Sequence, residues 1–176
     1  APFWTSFLIR AVAWTYPVAG RQGAINQALD GLGIISNPIA SLGFSDLSVR
    51  VALIQLYILF MITPLFFMLA QVDRSSLEAA RDLGGNGWRV FKEVIVPQTM
   101  PGVVIGSIFI FVLTMGEYGS VRVIGGGNVQ SVGTIVQTRI NNIQYPQGAA
   151  SAVLLIVALI IGVFAITRFA NLREEI

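Results

Sequence analysis

Three long stretches of the chain carry no charged residue. They run from Val51 to Val72, from Val94 to Gly116 and from Gln147 to Thr167. A helix that crosses the hydrocarbon core of a bilayer needs about 20 mostly apolar residues, and each stretch is long enough. A fourth apolar stretch, Ala1 to Ala19, is interrupted by Arg10 and is expected to be the second half of a span. The chain is therefore predicted to be an all-α, polytopic bundle of transmembrane helices.

The composition favours a membrane protein over a large soluble domain. Of the 176 residues, 55% are hydrophobic and 11% are charged, and the mean hydropathy is +0.74. Soluble domains carry about 25% charged residues, so this chain has too few charges to cover the surface of a globule of its size. The net charge of +2 is small and dispersed, which argues against a nucleic-acid partner.

Histidine and cysteine are both absent from the sequence. Without them the chain lacks the usual general base, the commonest metal ligand and the thiolate nucleophile, so neither a catalytic site nor a metal site is predicted. The enzyme alternative is a membrane hydrolase, which would need a serine or threonine with Lys92 or a carboxylate. No G-x-x-x-x-G-K-[ST] sequence occurs, so this chain is not expected to bind ATP itself.

A polar segment, residues 73–97, separates the first two uncharged stretches. Ser75 and Glu78 have the spacing of a capping box at the start of a helix. Gly84 with Gly85 is expected to end that helix, because glycine adopts the left-handed conformation at low cost. The segment is predicted to dock into another protein, and the alternative is an ordinary amphipathic loop on the membrane surface.

A second short helix is predicted after the glycine turn. Asn86 is a suitable N-cap, and Trp88 and Phe91 are expected to anchor the helix to the inner face of the protein itself. Pro97 lacks a backbone donor and disfavours helix at the residue before it. The second helix is therefore predicted to end at this proline, and the next span to begin near Pro101.

The polar segment also resembles the EAA loop of ABC-importer permeases, which reads E-A-A-x3-G and then, after nine residues, I-x-L-P. The pattern runs here without a gap from Glu78 to Pro97, and valine at positions 94 and 96 is the departure from it. In that family the loop is the coupling helix, which lies in a cleft of the cytoplasmic ATPase. The resemblance implies that the following residues couple the chain to an ATPase: Glu78, Ala79, Ala80, Arg81, Asp82, Gly84 and Pro97.

Other segments narrow the resemblance. Three segments are similar to spermidine/putrescine-type permeases: PFWTSFLIR near the start, LEAARDLG in the polar segment and YPQGAA before the last stretch. A fourth segment, GEYGSV, is similar to sulfate-type permeases. The resemblance implies a type I (MetI-like) ABC-importer fold with about four of its six spans. Residues 1–176 are then one transmembrane domain, expected to be truncated at its N terminus.

The implied protein is a non-catalytic, multi-pass permease of the bacterial inner membrane. Its implied partners are a dimer of ATPase subunits that binds the ATP, a second permease subunit, and a periplasmic or lipoprotein substrate-binding protein. Polyamines are the first expectation for the substrate, and other small organic solutes and sulfate-type anions remain open. An ATP-independent channel or secondary transporter is the alternative function.

The orientation of the chain in the membrane rests on the resemblance. Basic residues number six on one side of the predicted spans and five on the other, which is too even to decide. With residues 73–97 on the inner side, residues Gly20 to Arg50 and Ser120 to Pro146 are extramembrane segments of the outer side. The second of these is predicted to contain a short helix over Val132 to Ile143.

Three polar residues are candidates for the translocation path. Glu117 and Tyr118 follow the second uncharged stretch at its expected outer end, and Arg10 lies where an ionisable group usually faces a partner or water. The alternatives are a solvated helix-end carboxylate, an interfacial tyrosine and an arginine that snorkels to the interface. Gly102 and Gly106 have the spacing of a close-packing face, which predicts either a subunit seam or internal packing.

Overall fold

The computed structural model describes residues 6–18, 20–39 and 42–174, and within them the chain is helical, without strands. The all-α prediction is confirmed. A 3-10 turn occupies Gly20–Gln22, and a π-helical turn occupies Phe91–Ile95. The helices, in chain order, are α1 (Phe7–Thr15), α2 (Ala24–Gly31), α3 (Asp46–Ala70), α4 (Arg74–Asp82), α5 (Gly87–Val90), α6 (Val96–Met115), α7 (Gly119–Ile124), α8 (Val132–Asn141) and α9 (Tyr145–Glu174).

Three helical segments of the described residues are long and apolar enough to cross a membrane. They are Asp46–Ala70, Gly87–Met115 and Tyr145–Arg168, which together cover nearly all of the three uncharged stretches. The three predicted spans are therefore found where they were expected. The described part of the fourth stretch is α1, whose nine residues are too few to cross a bilayer; residues 1–5 and 19 lie outside the described residues.

The described residues form two compact units. The first is built from residues of 1–57 and 113–158, and the second from residues of 58–112 and 159–176. In the first unit α7 lies against α1. Ala11 of α1, Leu56 of α3, and Val121 and Ile124 of α7 are buried together in its core. The indole Nε1 of Trp14 also donates a hydrogen bond to Oε1 of Gln55 at 2.8 Å, which ties α1 to α3.

In the second unit α6 approaches α3 closely at two glycines. A Cβ atom added to Gly102 would lie 2.9 Å from the carbonyl oxygen of Pro64, and one added to Gly106 would lie 3.1 Å from the Cα of Met61. Both distances are shorter than ordinary van der Waals contact, so only glycine allows this approach. The sequence left two roles open for this glycine pair, a subunit seam and internal packing. The contacts with α3 are those of internal packing.

The helix does not break at either proline of the third predicted segment, so the predicted end at Pro97 and start near Pro101 are wrong. The backbone stays helical through Val96, whose amide donates to the carbonyl of Phe91, the i to i−5 bond of a π-turn. In a regular α-helix the ring of Pro97 would clash with the carbonyl four residues earlier, and the wider turn relieves that crowding. The hydroxyl of Thr99 donates to the carbonyl of Ile95 at 2.8 Å in the same region.

Candidate functional site

The polar segment 73–97 begins with a capped helix, α4. Asp73 is its N-cap, and Oδ1 accepts a hydrogen bond from the amide of Ser75 at 3.1 Å, while the Ser75 hydroxyl bonds to the other carboxylate oxygen. Both hydrogen bonds hold the pKa of Asp73 below its ordinary value of 3.8. The bond from the Ser75 hydroxyl has the larger effect, and the bond from the Ser75 amide the smaller. The predicted capping box of Ser75 with Glu78 is wrong, because aspartate caps equally well and starts the helix at Arg74.

The C-terminus of α4 is closed by the predicted glycine turn. Gly84 adopts φ +81°, its amide donates to the carbonyl of Arg81 at 2.8 Å, and the amide of Gly85 donates to the carbonyl of Ala80 at 3.0 Å. These two bonds form a Schellman motif, which satisfies carbonyls that the helix end leaves open. A Cβ atom on Gly85 would lie 2.5 Å from the Ala80 oxygen, so the space there also favours glycine.

The predicted cap of the second short helix is confirmed. Oδ1 of Asn86 accepts a hydrogen bond from the amide of Arg89 at 2.9 Å at the start of α5. Arg89 then pairs with Glu93 one turn later, with Nε 3.1 Å and 3.0 Å from the two carboxylate oxygens. The two helices of the segment are thus held by caps and by one exposed ion pair.

No residue of α4 is buried in the described structure. Glu78, Ala79, Arg81 and Asp82 are exposed, and Ala80 is half-buried beside the glycine turn. Among the described residues the charged groups of α4 form no ion pair with one another or with other elements. A nine-residue helix is marginal in isolation, and most helices are stabilised by an apolar face that packs on something else. α4 packs on α5 and the π-turn of the same segment through partly buried residues, and most of its surface stays open.

Three large apolar side chains of the segment are exposed. They are Leu83, Trp88 and Phe91, with exposed fractions of 86%, 72% and 44%. The rings of Trp88 and Phe91 stack on each other with centroids 5.6 Å apart. The prediction that they anchor α5 to the protein's own inner face is wrong, because they pack on one another and remain open. Leu83 belongs to the LEAARDLG stretch through which the resemblance to the coupling loop runs.

A cavity of about 270 Å³ lies between the two short helices. Its lining includes Ala80 and Leu83 from the first helix and its C-cap, Val90 from the second helix, and the paired Arg89 and Glu93 at one side. Pro97 is not part of it and lies at the start of α6, exposed. The segment thus combines a shallow cavity, exposed apolar side chains and unpaired charges, the usual components of a protein-binding surface.

Glu117 is buried, not solvated. Its Oε1 accepts a hydrogen bond from the amide of Ser120 at 2.7 Å, and its Oε2 accepts one from the hydroxyl of Tyr57. Its backbone carbonyl also accepts a bond from the hydroxyl of Ser131 at 2.6 Å. The alternative of a solvated helix-end carboxylate is therefore wrong. Glu117 joins α3, α7 and the start of α8 within the first unit.

Arg10 belongs to the same unit and approaches this network through aromatic rings. Its guanidinium lies 5.7 Å from the ring centroid of Phe7, and the Phe7 ring lies 5.3 Å from that of Tyr57, which holds Glu117. Nε and Nη1 of Arg10 are buried and have no hydrogen-bond partner among the described residues. An arginine that only snorkels to the interface would expose these atoms. The structure thus links two of the three residues predicted for the translocation path.

Tyr118 is half-buried and precedes α7, with its carbonyl accepting a bond from the amide of Arg122 at 2.9 Å. The described residues contain no group of acidic side chains arranged to hold a metal ion.

Three helices that are long and apolar enough to cross a membrane, with a capped polar helix exposed between the first two, define a polytopic membrane protein. Comparison of the sequence with known protein families identifies the family of membrane proteins to which the chain belongs. Residues 2–174 match the family described as "Binding-protein-dependent transport system inner membrane component", and the chain belongs to that family. The predicted fold class and inner-membrane placement agree with it.

Relatives with assigned names are also transport permeases. The chain is 34% identical to the spermidine/putrescine transport system permease protein PotB of Haemophilus influenzae over 99% of its own length. It is 32% identical to PotB of Escherichia coli K12 over 90% of its length, and 32% identical to the putative 2-aminoethylphosphonate transport system permease protein PhnU of Salmonella paratyphi A over 97%. The chain spans 60%, 57% and 58% of the length of these three relatives.

Proposed function

We propose that this chain is part of the permease subunit of an ATP-driven, binding-protein-dependent importer, and that residues 73–97 dock on its ATPase. The observation that carries the proposal is the state of α4. The helix is fixed at both ends, by Asp73 and by the Gly84 turn, yet none of its residues is buried and its charges are unpaired within the described chain. A helix that is fixed at both ends and keeps most of its residues exposed suits the cleft of a partner protein.

The contacts of such a complex follow from the side chains of the segment. Glu78, Arg81 and Asp82 supply charge-assisted hydrogen bonds at the rim of the cleft, and Ala79 allows the helix backbone to approach closely. Leu83 supplies an apolar anchor of the kind that dominates binding energy in protein interfaces. Family membership and the EAA spacing from Glu78 support an ATPase as the protein that provides the cleft.

The transport cycle divides the chemistry between subunits. A dimer of ATPase subunits binds and hydrolyses ATP, and this permease makes and breaks no covalent bond. ATP-driven closure of the ATPases moves the docked segments, and α5, the π-turn and α6 carry that movement into the bilayer as one continuous helix from Gly87 to Met115. A second permease subunit completes the path, and a substrate-binding protein on the outer side delivers the solute.

Polyamines are the proposed substrate. Two relatives named for spermidine and putrescine match 99% and 90% of the chain. Glu117, Tyr118 and Arg10 are proposed to lie along the path or to position the groups that form it, because ionisable residues inside membrane proteins commonly line substrate pathways. Uptake of labelled spermidine by the complete importer in proteoliposomes tests this. Uptake of 2-aminoethylphosphonate, with none of spermidine, would contradict the substrate while leaving the permease function intact.

A crosslinking experiment tests the docking of α4. Residues 1–176 contain no cysteine, so Ala79→Cys, in a complete permease cleared of any other cysteine, introduces a single thiol at an exposed position of the helix. The thiol is expected to crosslink to the ATPase subunit, with a yield that changes when ATP is added. Asn128→Cys, exposed in the segment expected on the outer side, is the matched control and should capture no ATPase. Equal yields from the two positions, or no capture from Ala79→Cys, would favour the ATP-independent channel or secondary transporter.

A further inference from the structure

A cavity of the first unit lies beside α8, far in sequence from the polar segment, and has no role in the proposed coupling. Its volume is about 320 Å³. The lining is strongly polar and includes Arg122 from α7, Gln130 from the following loop, and Thr138, Arg139, Asn142 and Gln144 from α8 and its C-terminal turn. Two cationic groups, a hydroxyl and three amides can all donate hydrogen bonds into one space.

The charge of this cavity is unbalanced. No acidic residue lines it, and neither Arg122 nor Arg139 forms an ion pair within the part of the chain that the structure describes. Each arginine lies in the last turn of its helix, where a positive charge also offsets the helix dipole. Offsetting a helix dipole does not require a cavity. It therefore does not explain why both arginines line the same cavity. The cavity is therefore suited to an anion and unsuited to a cationic solute.

The cavity lies at the level of a membrane interface. Gln144, at its edge, immediately precedes Tyr145, which begins the last membrane-crossing helix. Tyr145 is exposed, and exposed tyrosines at span ends mark the headgroup region. The level of the cavity is thus that of lipid phosphates.

Exposed apolar side chains of α8 and its C-terminal turn adjoin the polar lining. Ile135 lines the cavity and is itself exposed, and Val132, Ile140 and Ile143 are exposed beside it along the helix or just after it. Ile143 is 74% exposed. An acidic loop of a protein partner would satisfy the arginines but has no need of these aliphatic groups. A phospholipid satisfies both, with its phosphate in the cavity and its acyl chains along the isoleucines.

We propose that the cavity bounded by Arg122 and Arg139 binds the phosphate headgroup of an anionic phospholipid. Arginine guanidinium groups bind phosphate oxygens through charge-assisted hydrogen bonds. The amides of Asn142 and Gln144 donate hydrogen bonds to the remaining polar atoms of the headgroup. The site is independent of ATP and of the transported solute, so it stands apart from the proposed coupling of residues 73–97.

Native mass spectrometry of the complete permease tests the site. The purified protein is mixed with equal amounts of phosphatidylglycerol and phosphatidylcholine, and the ratio of the two bound lipids is measured. A basic residue near a lipid phosphate contributes about 1 kcal/mol, so Arg122→Gln and Arg139→Gln should each reduce the preference for phosphatidylglycerol about fivefold. Arg122→Lys should retain most of the preference, because it keeps the charge.

Arg50→Gln is the matched control. Arg50 is an exposed arginine of the same unit, paired with Asp46 and outside the cavity, so its loss removes the same charge and should leave the lipid ratio unchanged. A ratio that survives loss of both Arg122 and Arg139, or that falls equally in Arg50→Gln, would overturn the proposal.

Two further arms identify the source of the anion. Displacement of phosphatidylglycerol by low concentrations of inorganic phosphate would show a site for free phosphate and overturn the lipid assignment; retention of the lipid supports it. An unchanged lipid ratio in Arg122→Gln, together with weaker binding of the substrate-binding protein, would show that the cavity takes a protein carboxylate instead. Ile143→Ser should weaken retention of both lipids without altering their ratio, because it removes apolar contact only.

Discussion

Replacement of Gly84 tests whether the shape of the α4 turn is needed for coupling. Gly84 has φ +81°, and an added Cβ meets no atom within 4 Å. The cost of Gly84→Ala is therefore backbone strain without a clash, about 1–2 kcal/mol for a left-handed L-residue. That energy lowers the ratio of molecules with the Schellman turn formed to molecules in an unstrained alternative by about 5–30-fold.

The structure ranks four substitutions. Gly84→Asn should be milder than Gly84→Ala, because asparagine tolerates the left-handed region. Gly84→Pro should be the most severe, because the ring fixes φ near −65°. Gly87→Ala is the matched control, since Gly87 has an ordinary φ and its added Cβ also meets nothing within 4 Å. Coupling should therefore be impaired most by Gly84→Pro, less by Gly84→Ala and least by Gly84→Asn. Gly87→Ala should have no effect on coupling.

The assay is solute uptake per ATP hydrolysed by the complete importer in proteoliposomes, with membrane insertion checked for each variant. Uptake per ATP should fall in the expected order while insertion stays normal, because the turn lies outside the spans. Normal coupling in both Gly84→Ala and Gly84→Pro would refute the reasoning. Equal damage by Gly87→Ala would also refute it, since that change strains no backbone angle.

Three other substitutions test separate contacts. Glu78→Lys should abolish uptake and leave insertion intact, because it reverses a charge on the exposed face of α4; normal uptake would argue against docking there. Tyr57→Phe removes the hydroxyl that donates to the buried Glu117 carboxyl and should lower the free energy of unfolding in detergent by about 1–3 kcal/mol. Ser75→Ala removes the largest cause of the lowered pKa of Asp73, so NMR titration of that carboxyl should move its midpoint up towards 3.8.

The pH consequence of the Asp73 cap has a definite sign. The folded pKa lies below the ordinary 3.8, so the cap's stabilisation of α4 is fully present above about pH 3.8 and is lost as the pH falls through the lower, folded value. In Ser75→Ala the folded pKa lies closer to 3.8, so the loss should be smaller and should be complete at a higher pH.

Local patterns predicted the spans and most of the polar segment. The uncharged stretches, the Gly84 turn and the Asn86 cap each depend on a few neighbouring residues, and each was found in the structure. The N-terminus of α4 was wrong because Asp73 and Ser75 are both competent caps and the sequence does not rank them. The continuous helix through Pro97 was missed because the proline rule assumes α-helical geometry, whereas a π-turn precedes it.

Contacts between distant parts of the chain could not be predicted from local pattern. Tyr57 and Glu117 are 60 positions apart, and nothing in either neighbourhood indicates that they share a hydrogen bond. The Arg10 guanidinium reaches the same cluster only through the rings of Phe7 and Tyr57. The cavity between Arg122 and Arg139 also forms from separate helices. Such arrangements depend on the packing of α1, α3, α7 and α8, which residue spacing alone does not determine.

The π-turn at Phe91–Ile95 has a consequence for the angular position of the docking segment. The helical segment from Gly87 to Met115 has 29 residues, about 43 Å at 1.5 Å per residue, which exceeds a hydrocarbon core of about 30 Å. The excess length holds α5 clear of the acyl chains. One extra residue in a helix shifts the azimuth of all that precedes it by about 100°. Trp88 is thereby turned by that angle, relative to the Gly102 face that packs on α3, from the position that an unbroken α-helix would give it. Deletion of a single residue between 91 and 95 would rotate the whole segment by that angle about the helix axis.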